Sequence, residues 1–301
     1  MIPALVASAS GAFNDMLASL NITGIEGWRF DGVVVVAVAI RNNMGQVPSG
    51  GMVQIRSGFT VLRSVALSSI GSVTHGTYVV AHLAAAAVGD REPDADNIRV
   101  LFILNSTALF TVVATLWQDA RQSAPIFRSV ISNMGSSDAP SVTLPSAHVD
   151  AAIDALAVQG TVTATAGPGQ TVIATPITSA VVEGLIVRGG ASYGAGASSV
   201  VLSWSLSASR PWAIMGASMM PASPLRRSAG MEGRGAITVP IGGLTGYSDR
   251  SSSMAGRGRG QADVALVPMA RVATPGYGIA QVVVSRSEVS VGAHRPRGGS
   301  Y

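Results

Sequence analysis

Val33-Val34-Val35-Val36-Ala37-Val38-Ala39-Ile40 decides the fold class. Eight apolar residues, most of them β-branched, are too few to cross a bilayer and read as a strand buried on both faces. Val200-Val201-Leu202-Ser203-Trp204-Ser205-Leu206-Ser207 supports the same class. From Leu202 it alternates strictly with period two, as a strand with one wet face does.

Working outward, short apolar runs alternate with Gly, Ser, Asn and Pro. Further strands are predicted at Met52–Ile55, Thr60–Leu67, Val73–Val80, Ile98–Leu104, Ala108–Trp117, Thr161–Thr165, Thr171–Ala174, Ala180–Arg188, Ala236–Val239, Asp263–Val267 and Ile279–Val291. Two inserted helices are expected. One spans 123–134, with Ser123 as cap, Pro125 in the first turn and Gly135 as stop. The other spans 146–159, with Val149, Ile153 and Leu156 on one face and Gly160 as stop. A third helix, from Tyr78 to Val88, competes with a strand, and Met1 to Leu20 reads as a short helix rather than a basic-headed secretory signal. The expected fold is mainly β, a sandwich or barrel-like core with a few inserted helices and long irregular connections. Helices and strands do not alternate regularly, which argues against a Rossmann fold or a TIM barrel. We find no repeat of fixed period.

Three regions follow: a β-rich core over 1–220, a Gly/Ser/Arg-rich arm or long loop over 221–260, and C-terminal strands with a basic tail over 261–301. Val100 to Trp117 carries no charge over 18 residues, near the minimum for a membrane span. Two buried strands joined by Asn105-Ser106-Thr107 are the preferred reading, and a membrane-associated protein is the alternative.

Composition excludes much chemistry. The 301 residues include no cysteine, so thiolate nucleophiles, disulfides and Cys-ligated zinc are out. All 20 basic residues are arginine, so a Walker A lysine and Schiff-base chemistry are out as well. Gly190-Ala191-Ser192-Tyr193-Gly194 matches the G-x-S-x-G serine-hydrolase elbow, with Asp249 or Asp263 and then His294 as possible partners. A strand rather than a helix follows it, so a glycine hairpin is preferred and no catalytic residue is assigned. A serine esterase using Ser192 stays as the alternative. His75, His82, His148 and His294 form no metal-ligand spacing, the acidic turn Asp90–Asp96 lacks the EF-hand pattern, and no metal or cofactor is expected. Asp150 and Asp154, one helical turn apart, read as a wet helix face.

Charged residues make up 12% of the chain and the formal charge is +4. Interfaces are depleted in Lys and Glu and retain Arg, and this chain has that character throughout. Arg226, Arg227, Arg234, Arg250, Arg257 and Arg259 lie in the Gly/Ser-rich stretch, and Arg295 and Arg297 in the tail. They are candidates for pairing with carboxylates of a neighbouring subunit, with RNA contact as the lesser option. In overall character the chain is similar to coat or surface proteins of non-enveloped viruses, which use β-rich cores and extended arms. That likeness implies a virion component assembled in the host cytoplasm. Its expected partners are further copies of itself and another shell protein, and no membrane is expected.

Overall fold

The computed structural model describes residues 2–41, 48–178, 186–223, 238–241 and 250–253. Two compact units divide the chain between Arg226 and Arg227. In the second unit the described residues form one antiparallel hairpin, β16 (Thr238–Ile241) with β17 (Arg250–Ser253).

The first unit is built entirely of strands and their connections. β1 (Ala4–Ile22), β2 (Gly32–Arg41), β3 (Pro48–Ser57), β4 (Thr60–Ala66), β5 (Ser68–His75), β6 (Val79–Gly89) and β7 (Asn97–Gln118) form one seven-stranded sheet. β8 (Phe127–Ser137), β10 (Ala151–Gln159), β12 (Gln170–Thr178), β13 (Val187–Ala195) and β15 (Arg210–Met219) form a five-stranded sheet. β9 (Ser141–Pro145), β11 (Ala164–Ala166) and β14 (Ser199–Leu206) form a three-stranded one. The mainly β expectation holds.

The seven-stranded sheet bends into a nearly closed barrel. β1 and β7 pair along their length with two irregularities, a one-residue bulge at Val6 and a larger break where Asp15 faces Ala108 and Leu17 faces Ile103. The larger break makes the corner. There Met16 stands opposite four residues of β7, and both strands turn the corner from one wall to the other, as bulged strands do. Beyond the corner the C-terminal part of β7 pairs with β2, and the N-terminal part pairs with β3. One wall therefore reads β1-β7-β2-β6-β5 and the opposite wall β1-β7-β3-β4.

The second half repeats this order with separate strands. Its five-stranded sheet runs β8-β15-β10-β13-β12, and its small sheet runs β9-β14-β11. β8 and β9 take the places of the two parts of β1; β14 and β15 take those of β7. The small sheet lacks a counterpart of β4, so the walls hold five and four strand segments in the first half and five and three in the second, both in the two-sheet order of a jelly roll. The duplication is one of topology, and for that reason a search for sequence periodicity misses it.

The two five-stranded walls pack back to back. β12 lies by β1, β13 over β7 and β2, β10 over β2 and β6, β15 over β6 and β5, and β8 over β5. Val33, Val35, Ala37 and Ala39 enter this shared layer, while Val34, Val36, Val38 and Ile40 enter the barrel. That two-sided burial is why the opening valine run has no polar alternation. At Gly189 the walls leave no room for a side chain: a Cβ there would stand 1.9 Å from Thr111 Oγ1 and 2.7 Å from the Ala39 Cβ.

Four helix expectations are corrected. Residues 123–134 hold a turn and most of β8; 146–159 hold a turn and β10; Tyr78–Val88 is largely β6; and the N-terminal segment is β1. β10 and β6 are apolar at nearly every position because both faces are covered, so spacings of three and four fit by accident. The two runs expected within 98–117 are one unbroken strand, and the run at 73–80 is instead cut by the turn between β5 and β6. Among the described residues, no helix is long and apolar enough to cross a membrane. The strands expected at 263–267 and 279–291, and residues 180–185 of another, lie outside the described residues.

Candidate functional site

The densest buried polar cluster sits in the second half, between its five-stranded and three-stranded sheets. β10 alternates: Ala151, Ile153, Ala155 and Ala157 face the shared layer, while Ala152, Leu156 and Val158 face the small sheet. Asp150 and Asp154 share the parity of this second set, and both are fully buried. The wet-helix reading of this pair is therefore corrected. On a strand, four residues place them about 13 Å apart, in two separate networks.

Asp154 accepts three hydrogen bonds. Ser192 N–H donates to Oδ1 at 2.7 Å, and Ser192 Oγ and Trp204 Nε1 each donate to Oδ2 at 2.9 Å. Gln170 extends the network, its Nε2 donating to Ser192 Oγ at 2.7 Å and its Oε1 accepting from Ser203 N–H at 2.8 Å. Burial pushes the Asp154 carboxyl up to about 7, and the bonds from Trp204 and Ser192 offset only part of that rise. Asp150 is held by Arg128, whose Nε lies 2.6 Å from Oδ2 and whose terminal nitrogen lies 3.2 Å from Oδ1. Ser218 Oγ also donates to Asp150 Oδ2, at 2.8 Å. The hydrogen bond to Asp150, and then its charge, raise the Arg128 guanidinium further.

Ser192 sits in the middle of β13, with Val187 to Ala195 continuous on either side of it. Gly190 and Gly194 are strand residues, so the expected glycine hairpin is corrected; the next turn leads from β13 to β14, which lie in different sheets. The Ser192 side chain is fully buried, and its oxygen already gives one hydrogen bond and takes another. Its direct partner is Asp154, which the sequence reading did not connect with it. Asp249, Asp263 and His294 lie outside the described residues. What the described arrangement does chemically is tie β10, β12, β13 and β14 together across the inter-sheet space.

The arginine candidates divide similarly. Arg250 opens β17, whereas Arg226, Arg227, Arg234, Arg257, Arg259, Arg295 and Arg297 lie outside the described residues. Of the histidines, His75 stacks on Tyr78, His82 is buried in the barrel and His148 is exposed. His294 also lies outside the described residues. In the acidic turn, Asp90 accepts from Asp31 N–H at 3.0 Å, and both Asp96 oxygens accept from Gly58 N–H at 3.0 and 2.9 Å. Among the described residues no cluster of acids and histidines could hold a metal.

Two surface features were not anticipated. Phe59, at the tip between β3 and β4, is 95% exposed. Its turn is nonetheless braced, by Asp96 on Gly58 N–H and by Arg56, which donates to the Phe59 carbonyl at 2.7 Å. The outer face of the β1-β7-β3 wall carries Leu17, Ile103 and Met52, each about two-fifths exposed. Leu17 is registered directly opposite Ile103. The matching face of the second half presents Ser199, Ser203 and Ser205, with Val201 the one apolar member on β14.

Neither a family model nor a curated protein nor a solved structure matches the chain. The jelly-roll description therefore rests on strand order and register alone.

Proposed function

We propose that the chain is a structural subunit of a large protein assembly, a capsid or capsid-surface protein of a non-enveloped virus, acting through contacts between subunits. The supporting observation is Phe59, a large apolar side chain held almost wholly in solvent by a braced turn. Exposed apolar groups on a rigid support mark contact surfaces, and the Leu17–Ile103–Met52 face adds a second one. Double-sheet jelly rolls are recurrent in viral shells, which is an analogy at the level of fold. The low charge and the absence of lysine agree with a surface spent on contacts. The partners in this reading are further copies of the chain and another shell protein, with RNA contact through the arginines a lesser element.

Phe59→Ser tests this. The substitution removes only an exposed contact, the Arg56 guanidinium 5.8 Å over the ring, so thermal stability should stay within about 1 kcal/mol of the parent. Particle yield, or binding to the partner shell, should fall at least severalfold. Unchanged assembly in the folded variant contradicts the role given to this turn.

A further inference from the structure

The barrel of the first half has a cavity where its walls part, with a volume of about 250 Å³. Its rim is formed by exposed Ser49, Gly50 and Ser69, and its depth by His82, Ala84 and Phe102, each no more than 2% exposed. His82 stacks obliquely on Phe102, ring centres 5.8 Å apart. Nδ1 of the ring is buried without a partner. In the tautomer that carries its proton on Nε2, Nδ1 is a lone-pair acceptor. Burial pushes the ring down to about 4, so it stays neutral and keeps that lone pair at neutral pH.

We infer that this cavity binds a small, uncharged, mainly apolar molecule that donates one hydrogen bond, from a hydroxyl or an N–H, to His82 Nδ1. Three observations carry the inference. A buried acceptor without a donor costs free energy that a ligand donor recovers. Among the described residues lining the cavity none carries a charged side chain, so an ion would lose its hydration without compensation. The volume sets the size: an apolar cavity of about 150 Å³ holds benzene, so this one suits about ten heavy atoms. The site lies at the mouth of a barrel, a usual place for small-molecule pockets. It is independent of the assembly reading, and neither stands or falls with the other.

Indole and indene test it, being nearly the same shape and differing at the N–H. Titrated into the purified full chain, indole should bind saturably and about fivefold more tightly than indene, the worth of one net hydrogen bond. Indole, and not indene, should shift the ¹⁵N resonance of His82 Nδ1 in the unmutated protein, a readout that needs no variant to fold. His82→Leu should abolish the preference, and Ala84→Phe should abolish binding of both. Equal affinities for the two probes in the unmutated protein, no saturable binding of either, or an unmoved Nδ1 resonance at saturating indole would each overturn the inference.

Discussion

In the first half, β1 and β7 run unbroken from one wall to the other, and the interior between the walls is almost all hydrocarbon among the described residues, with His82 buried in it. In the second half the same path is cut, at Asp138-Ala139-Pro140 and at Ser207-Ala208-Ser209, into separate strands. There two carboxylates stand in the interior. The comparison teaches that one strand order tolerates two ways of joining its sheets. Continuous strands carry the fold around a corner by covalent connection. Separate sheets rely on packing of Leu156, Leu202, Trp204 and Ile214, and on Asp154 reaching across to Trp204.

The largest effect is expected where the halves meet. Gly189→Val places carbon where Thr111 and Ala39 already stand, so both halves should lose stability together, by about 3 kcal/mol. A single shared unfolding transition in denaturant, moved to lower concentration, is the expected result. A variant that unfolds one half alone would break the picture of a common layer.

Asp154→Ala should cost about 2 kcal/mol or more, because it strands the Ser192 and Trp204 donors in a buried space. The loss should start in the second half, read by the exposure of Trp204. A variant as stable as the parent would show that the polar tie contributes nothing.

The pH dependence sharpens the same contrast. The folded Asp154 carboxyl titrates near 7, above its ordinary 3.8. Below the unfolded value both states hold the proton, so this group's contribution to stability is greatest there. As pH rises toward 7 the unfolded state releases its proton first, and stability falls across that window, then levels off. Asp154→Asn, which cannot ionise, should flatten that slope between pH 4 and 7 relative to the parent. Equal slopes in the two proteins would remove Asp154 as the cause.

Arg128→Ala should have the smallest effect, a loss of stability below that of Asp154→Ala. Asp150 keeps the Ser218 hydrogen bond, and the arginine side chain is 41% exposed, so solvent screens the pair. A loss as large as that of Asp154→Ala would mean the carboxylate has no other effective support.

How much of this was legible depends on the side of each strand. Val33–Ile40 and Leu202–Ser207 announced themselves, one by β-branching and one by alternation. Ala151–Gln159 did not, since an apolar run covered on both faces carries no period, and Ala is a strong helix former. The two aspartates made the error worse, because their spacing also suits one helical turn. The duplication stayed hidden because equivalent strands share burial rather than residues: β2 is valine-rich where β10 is alanine-rich with a buried acid. Ser192 was noticed for its glycines. The signal for its actual partner was an isolated Asp within the apolar stretch Ala151–Val158, together with a Trp on the buried face of an alternating strand, since both need a polar mate when buried.

The central functional claim is assembly, and negative-stain electron micrographs of the purified full-length chain, alone and mixed with its partner shell, test it most directly. The account predicts symmetric oligomers or particles, or regular decoration of the shell. A monodisperse monomer at micromolar concentration that leaves the shell bare would contradict it.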